Sequence, residues 1–105
     1  MKTHELKTWP APFEAMWQEQ KRFEVRRDDR GFEVRDSLWL REWDPATGEY
    51  TGRELRDVIV KFILRGADAV GFGVQPGYCV MSTHICGVFA YVRPKDAQGR
   101  TIWEP

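Results

Sequence analysis

The stretch Lys21-Arg22-Phe23-Glu24-Val25-Arg26 decides the fold, because the spacing of apolar residues changes there from a helical period to a period of two. Its two apolar residues, Phe23 and Val25, alternate with Glu24 and Arg26. This alternation is typical of a β-strand with one apolar and one polar face. We therefore predict a strand whose charged side chains share one surface.

Upstream of this stretch, residues 3–9 predict a short strand that is broken by Pro10 and Pro12. Proline is favoured in the first turn of a helix, so a helix is expected to begin here. The apolar residues then recur at the spacing of a single helix face, at Phe13, Met16 and Trp17. This brief helix is expected to pack its apolar face on a sheet.

Downstream, residues 37–43 predict a strand with Leu38, Leu40 and Glu42 on one face and an arginine between two tryptophans on the other. Further strands are expected at 58–64, which is almost continuously apolar and suits a sheet centre covered on both faces, and at 78–85. A last strand at 88–92 and a turn at 96–99 complete the chain. The predicted fold is α+β and predominantly β: a small, mostly antiparallel barrel of five or six strands with one N-terminal helix.

Length and charge bound the possible functions. A chain of 105 residues predicts a single domain, 1–105. Sixteen basic residues balance sixteen acidic ones, so binding of a polyanion would depend on a local cluster. No apolar run approaches the roughly 20 residues of a membrane span, and the first residues lack the apolar stretch of a secretion signal. We expect a cytoplasmic protein with no membrane partner; the oligomeric state stays open.

The two cysteines, Cys79 and Cys86, are too few for a disulfide framework and are expected to be buried and reduced. With His84 between them, their spacing matches no common zinc pattern and lacks a fourth ligand. We therefore expect neither a metal nor a cofactor. The glycines at 71, 73 and 77 differ in spacing from phosphate-binding loops, and they predict a tight connection.

Four separated motifs, in order, resemble the ASCH group of the PUA-like superfamily, and most closely its small DUF3850-type branch. The ASCH signature is a small residue followed by K-x-x-E-x-R, which Lys21, Glu24 and Arg26 match. The four motifs occupy residues 4–7, 21–32, 40–44 and 71–78, so that the resemblance covers about 3–85. Two departures stand out: Gln20 occupies the place of the small residue of the signature, and Arg35 stands where the branch commonly has a glycine, so that the turn there is expected to differ in shape.

The resemblance implies a PUA-like barrel with a cleft beside the K-x-x-E-x-R strand that accommodates RNA, a nucleotide or a modified nucleobase. Lys21 and Arg26 would then contact phosphate or carbonyl oxygens, and Glu24 would accept a hydrogen bond from a base. Arg30 and its basic neighbours could extend a phosphate-binding patch. On the residues alone, solvated ion pairs on an exposed strand are the simpler interpretation; the resemblance favours a site.

Four further residues are candidates for ligand contact. His4 and Lys7 belong to the first motif, but strand parity directs them to opposite faces unless the segment bends. A half-buried structural role for His4 is equally consistent with the sequence. Trp43 and Tyr78 could stack on bases, although most aromatic residues of small barrels belong to the core.

Two other functions remain open. Some ASCH-like proteins hydrolyse acylated cytidine or cleave RNA, which implies an amidohydrolase or ribonuclease with Lys21, Glu24 and Glu42 as catalytic residues. The amidohydrolase members carry a threonine at the position of Glu24, and Glu42 would have to serve as the acid or base. The second is a regulatory module that binds another protein through exposed tryptophans, of which the chain has five.

Overall fold

A computed structural model describes residues 1–95 and residue 98 of the chain. In this part of the chain it contains six strands, two helices and one 3₁₀ turn. In chain order the elements are β1 (Thr3–Thr8), α1 (Pro10–Trp17), β2 (Phe23–Arg27), β3 (Ser37–Asp44), β4 (Glu49–Leu64), α2 (Gly66–Gly71), β5 (Tyr78–Ile85), the 3₁₀ turn (Val88–Ala90) and β6 (Tyr91–Val92). Most of the turn predicted at 96–99 lies outside the described residues.

The strands form one sheet in the order β1-β3-β4-β5-β2, and β6 pairs with β4. β1 runs parallel to β3, whereas the other pairings are antiparallel, so the sheet is mixed. The sheet curls into a half-barrel, with β1 and β2 as its two edges. This confirms the predominantly β, α+β class and the helix after the first strand; α2 was not predicted.

Strand β4 is the centre of the sheet, as expected, but it is much longer than residues 58–64. It spans 16 residues because its first part pairs with β3 and its last part with β5. The expectation that it is covered on both faces was wrong at Phe62, which is 60% exposed. The pairing with β5 shifts register between Val60 and Phe62, and Lys61 and Phe62 are both exposed.

The core fills the concave side of the sheet. Helix α1 supplies Phe13 and Met16, both almost fully buried, and the strands supply most of the rest. The other buried members of the core are Leu6, Phe32, Leu38, Leu40, Leu55, Val58, Val60, Cys79 and Met81. Burial raises the pKa of the Cys79 thiol and keeps it protonated. The expectation that Cys86 is buried as well was wrong: it is exposed, because it lies just past the end of β5.

Strand β3 has the predicted parity, since Leu38, Leu40 and Glu42 are all buried. Strand β2 has a less usual orientation. Its charged Glu24 is 3% exposed, whereas Phe23 and Val25 on its other face are 47% and 50% exposed. The charged face of β2 therefore points into the half-barrel and its apolar face points outward.

Neither described helix is long and apolar enough to cross a membrane. Within the described residues, no group of three or more histidine, cysteine or acidic side chains is arranged to hold a metal ion.

Candidate functional site

The pairing of β2 with β5 places Glu24 inside the half-barrel. Glu24 lies opposite Met81, which is fully buried, and the neighbouring pair is Val25 with Val80. Because side chains alternate along a strand, a register that puts Met81 in the core also puts Glu24 there. A buried carboxylate is costly unless cations and hydrogen-bond donors surround it.

Two cations meet that requirement. The ammonium Nζ of Lys21 lies 2.6 Å from Glu24 Oε1, and Arg26 Nε donates to Glu24 Oε2 at 3.0 Å. Both side chains are mostly buried, at 15% and 22% exposure. The three residues of the K-x-x-E-x-R pattern thus form one cation-carboxylate-cation row.

Arg26 also connects the two edges of the sheet. Its Nη1 donates to the carbonyl oxygen of Lys7, and its Nη2 donates to Thr8 Oγ1, both at 3.0 Å. Both acceptors belong to β1, so one guanidinium group joins three partners on two strands that share no ladder. Because the fork of the guanidinium group is rigid, these bonds fix its position.

A cleft of about 460 Å³ opens beside this row, where the end of β1 and the start of α1 face β2. Cations and one carboxylate form its polar part, and Trp9, Pro12 and Val25 form an apolar part. The lining residues are Lys7, Thr8, Trp9, Pro12, Lys21, Glu24, Val25 and Arg26. The structure therefore brings together four of the predicted site residues: Lys7, Lys21, Glu24 and Arg26.

Sequence reasoning missed Thr8, Trp9, Pro12 and Val25. The bend at Trp9-Pro10 was the one available signal, because a chain that turns from strand to helix must expose side chains at the corner. Trp9 is 51% exposed at this position. What the sequence did not reveal is that β2 faces this corner across the open side of the half-barrel.

His4 does not line the cleft. It is 7% exposed, and its Nε2 lies 2.8 Å from Asp36 Oδ2. The backbone amides of Lys2 and Glu33 also donate to that carboxylate, at 3.0 and 2.9 Å. Burial alone would raise the pKa of Asp36, but these hydrogen bonds outweigh it and hold the pKa at about 2, against an ordinary value of 3.8.

The remaining predicted ligand contacts lie around the cleft. Trp43 adjoins it through Lys7, whose Nζ is 4.0 Å from the centre of the indole ring. Arg30 donates from Nη1 to the carbonyl oxygen of Glu5 at 2.8 Å and lines a separate, smaller cavity. Tyr78 lies beside Arg27 at 5.7 Å and is not part of the cleft lining.

Glu42, the predicted acid or base, is buried and fully engaged. Arg53 donates to its two oxygens at 3.0 and 2.9 Å, and Thr51 Oγ1 donates to Oε1 at 2.7 Å. It is not among the residues that line the cleft. This arrangement is that of a structural ion pair.

The turn before β3 keeps the shape that a glycine would favour. Arg35 has φ of +80°, in the left-handed region that few side chains adopt. The backbone therefore holds a glycine-like conformation with a larger residue in place, and a difference in shape from a turn with glycine stays a prediction.

Fold and site together define a small, predominantly β half-barrel with a charged cleft between its two edge strands. A family model described as a domain of unknown function (DUF3850) matches residues 3–83 of the chain. The chain therefore belongs to the DUF3850 family. A search of the curated proteins finds no match.

Proposed function

We propose that the chain is an ASCH-like, PUA-like binding module that holds RNA or a modified nucleobase in the cleft beside β2. The observation that carries this proposal is the buried row of Lys21, Glu24 and Arg26 along a cleft of about 460 Å³. A volume of this order is typical of small-molecule sites. The K-x-x-E-x-R resemblance supports the same assignment.

The lining suits a flat, polar heterocycle. Trp9 and Pro12 offer apolar surface on which the face of a base can pack, and base stacking on aromatic rings is tolerant of sequence. Lys21 and Arg26 have N–H groups beyond those bonded to Glu24, which can donate to a carbonyl or phosphate oxygen. An ionised carboxylate has about four acceptor sites, so Glu24 can also accept from a base amino group.

The contacts of Glu24 favour binding over catalysis. Each of its oxygens already accepts from a cation, so the carboxylate holds two side chains in place. Its principal effect is to fix the donors of Lys21 and Arg26 in one orientation. Such fixed donors lower the entropic cost of holding a ligand.

A specific observation supports hydrolysis as the second candidate. Thr8 places a hydroxyl group in the same cleft as the Lys21 ammonium. The acylcytidine hydrolases of the ASCH group have a threonine at the position of Glu24, and a threonine on β1 could supply the hydroxyl from the opposite edge.

The test is titration of the protein with ribonucleosides, N4-acetylcytidine and short single-stranded RNAs, with binding followed by calorimetry and products by mass spectrometry. We expect binding without turnover, and a loss of at least tenfold in affinity for Lys21→Met. Lys61→Met is the matched control, because Lys61 is exposed on β4 and does not line the cleft.

Deacetylation that disappears in Thr8→Val would establish the hydrolase instead. If no nucleoside and no RNA binds, both candidates fail, and the interpretation of the chain as a protein-binding module gains weight. Three of the tryptophans that this interpretation requires, at 17, 39 and 43, are only half-exposed.

A further inference from the structure

The outward side of β2 continues into an apolar surface that three strands share. Phe23 of β2 and Phe62 of β4 both lie opposite Ser82 of the intervening β5, so these residues form one row across the sheet. Met81, the next residue of β5, is buried, which places Ser82 and its two partners on the outer side. Two exposed aromatic rings therefore stand on the outer face, on either side of a small polar residue.

The next outward-facing row is apolar as well. Val25 of β2 and Leu64 of β4 both lie opposite Val80 of β5. Val25 is exposed, and the other two are half-buried. We call these two rows the outer patch. An exposed apolar surface that reaches an edge strand promotes unwanted association unless a partner uses it, so it marks an interaction site.

The charges around the outer patch favour an anionic partner. Arg27 lies at the end of β2 with its guanidinium carbon 5.7 Å from the centre of the Tyr78 ring, and Lys61 is exposed next to Phe62. The outward-facing described residues of β2, of β5 and of 59–64 in β4 include no carboxylate. A second copy of the chain on this face would bring the same cations together, which disfavours self-association. Exposed aromatic rings bordered by cations are the combination with which proteins bind single-stranded nucleic acid.

Lys21 connects the outer patch to the cleft. Its Nζ donates to Glu24 inside the half-barrel and to the carbonyl oxygen of Phe23, and it lies 4.9 Å from the centre of the Phe23 ring. Val25 belongs to the patch and also lines the cleft. A strand of RNA that leaves the cleft past the edge of β2 therefore meets a cation and then an aromatic ring.

We propose that the outer patch binds the nucleotides that adjoin the one in the cleft, with one base stacked on Phe23 and another on Phe62. This inference rests on the proposed function and narrows it, because the ligand becomes a single strand of RNA rather than a free nucleobase. The two rings stand on strands that β5 separates, about 10 Å apart at the usual strand spacing, so each ring takes a base of its own. Stacking tolerates any base, so the patch contributes affinity and the cleft contributes selectivity.

The experiment uses a seven-nucleotide RNA whose central nucleoside is the one that binds best in the titration above and whose flanking nucleosides are adenosines. A second RNA has abasic sites at the flanking positions, which keeps every phosphate and removes the bases. Fluorescence anisotropy at fixed ionic strength measures the affinity of both. We expect the RNA with flanking bases to bind about tenfold more tightly than the abasic one, because each stacked base contributes to affinity.

Phe62→Leu separates the outer patch from the cleft, because it keeps an apolar side chain and removes the ring. It should reduce the advantage of the flanking bases about fivefold. The affinity for the free nucleoside should change by less than twofold, since β5 lies between Phe62 and β2. Phe89→Leu is the matched control, because Phe89 is almost fully exposed and lies on the 3₁₀ turn, outside the patch. Lys61→Met remains the control for nucleosides, which do not reach the patch.

The outcomes separate the two claims. If nucleosides bind and flanking bases add nothing over abasic sites, the inference is overturned and the proposed function stands. The inference is also overturned if the advantage of the flanking bases survives unchanged in Phe62→Leu. Sedimentation that shows self-association, abolished by Phe62→Leu and not reversed by RNA, would assign the patch to a second copy of the chain and overturn it as well. If no nucleoside and no RNA binds, the proposed function fails, and the inference fails with it.

Discussion

Asp36 and Glu24 are both buried carboxylates, at 1% and 3% exposure, yet they have opposite kinds of partner. Asp36 accepts from two backbone amides and from the ring of His4. Glu24 accepts from the ends of two long side chains, those of Lys21 and Arg26. The first set of donors is fixed by the chain, whereas the second set borders an open cleft.

The position along β1 separates the two sites. His4 is near its start and Thr8 is at its end, four residues or about 13 Å apart at the usual rise of a strand. The start of β1 is bonded to the turn before β3, which includes Asp36, and the end of β1 is bonded to Arg26. Burial of a charge therefore does not by itself identify a functional site. The partners of the charge must also be able to reach a ligand.

The largest expected effect is on stability at Asp36. Asp36→Asn leaves one acceptor oxygen but removes the charge and places an amide against donors, so we expect the free energy of unfolding to fall by about 3 kcal/mol. Urea denaturation measures this change. Asp57→Asn, at an exposed position of β4, is the control and should stay within about 0.5 kcal/mol. A loss below about 1 kcal/mol at Asp36 would contradict its structural role.

A second prediction concerns acid stability. The pKa of Asp36 is about 2 in the folded protein and 3.8 ordinarily, so unfolding raises it and the folded state gains stability from the ionised form. The gain is about 2 kcal/mol, is fully present above about pH 4 and is lost as the pH falls towards 2. Denaturation at a series of pH values should show this loss in the wild type and not in Asp36→Asn. Identical slopes in the two proteins would disprove it.

At Glu24 we expect a large effect on nucleotide affinity and a small effect on stability. Glu24→Gln weakens the hold on Lys21 and Arg26, and we expect at least a tenfold loss of nucleotide affinity, or about 1.4 kcal/mol. The loss of stability should be smaller than at Asp36, because the two cations border an open cleft where water can accept the hydrogen bonds that Glu24 no longer accepts as strongly. Calorimetry on Glu24→Gln and on the folded fraction of Asp36→Asn makes the comparison. Equal losses of affinity in both variants would remove the distinction between the sites.

The smallest effect is expected at Arg35, in the turn that positions Asp36. A residue other than glycine at φ of +80° is strained, and glycine relieves that strain at some cost in the entropy of the unfolded chain. Arg35→Gly should therefore raise the free energy of unfolding by about 0.5 kcal/mol. Arg56→Gly, within β4, should lower it instead. A fall in stability for Arg35→Gly would show that the arginine side chain itself supports the turn.

Much of the fold follows from local patterns in the sequence. The prolines at 10 and 12 mark the helix, the parity of β3 predicts which of its residues are buried, and the bounds of β5 agree with the predicted strand. These features depend on neighbouring residues, which the sequence shows directly. The extension of β4 to residue 49 was not predicted, because its first residues include the turn formers Thr51 and Gly52 and do not have the pattern of a strand.

The site was predictable only in part, because its decisive contacts are distant in sequence. The alternation in β2 shows two faces but not which one is covered; pairing with Met81 settles that. His4 and Asp36 are 32 positions apart, and Thr8 and Arg26 are 18 apart. The motif therefore located Lys21, Glu24 and Arg26, whereas the surface opposite them depended on how the sheet curls.

The most direct test that the ligand binds in the cleft beside β2 is a map of backbone amide chemical shifts during titration with the nucleotide that binds best. Binding in the cleft predicts that the amides of residues 7–9, 11 and 21–26 shift with one common dissociation constant, and that those of residues 33–37 around Asp36 stay in place. Shifts centred instead on the outer face of β3, at Trp39 and Arg41, would contradict it, as would no shift at all.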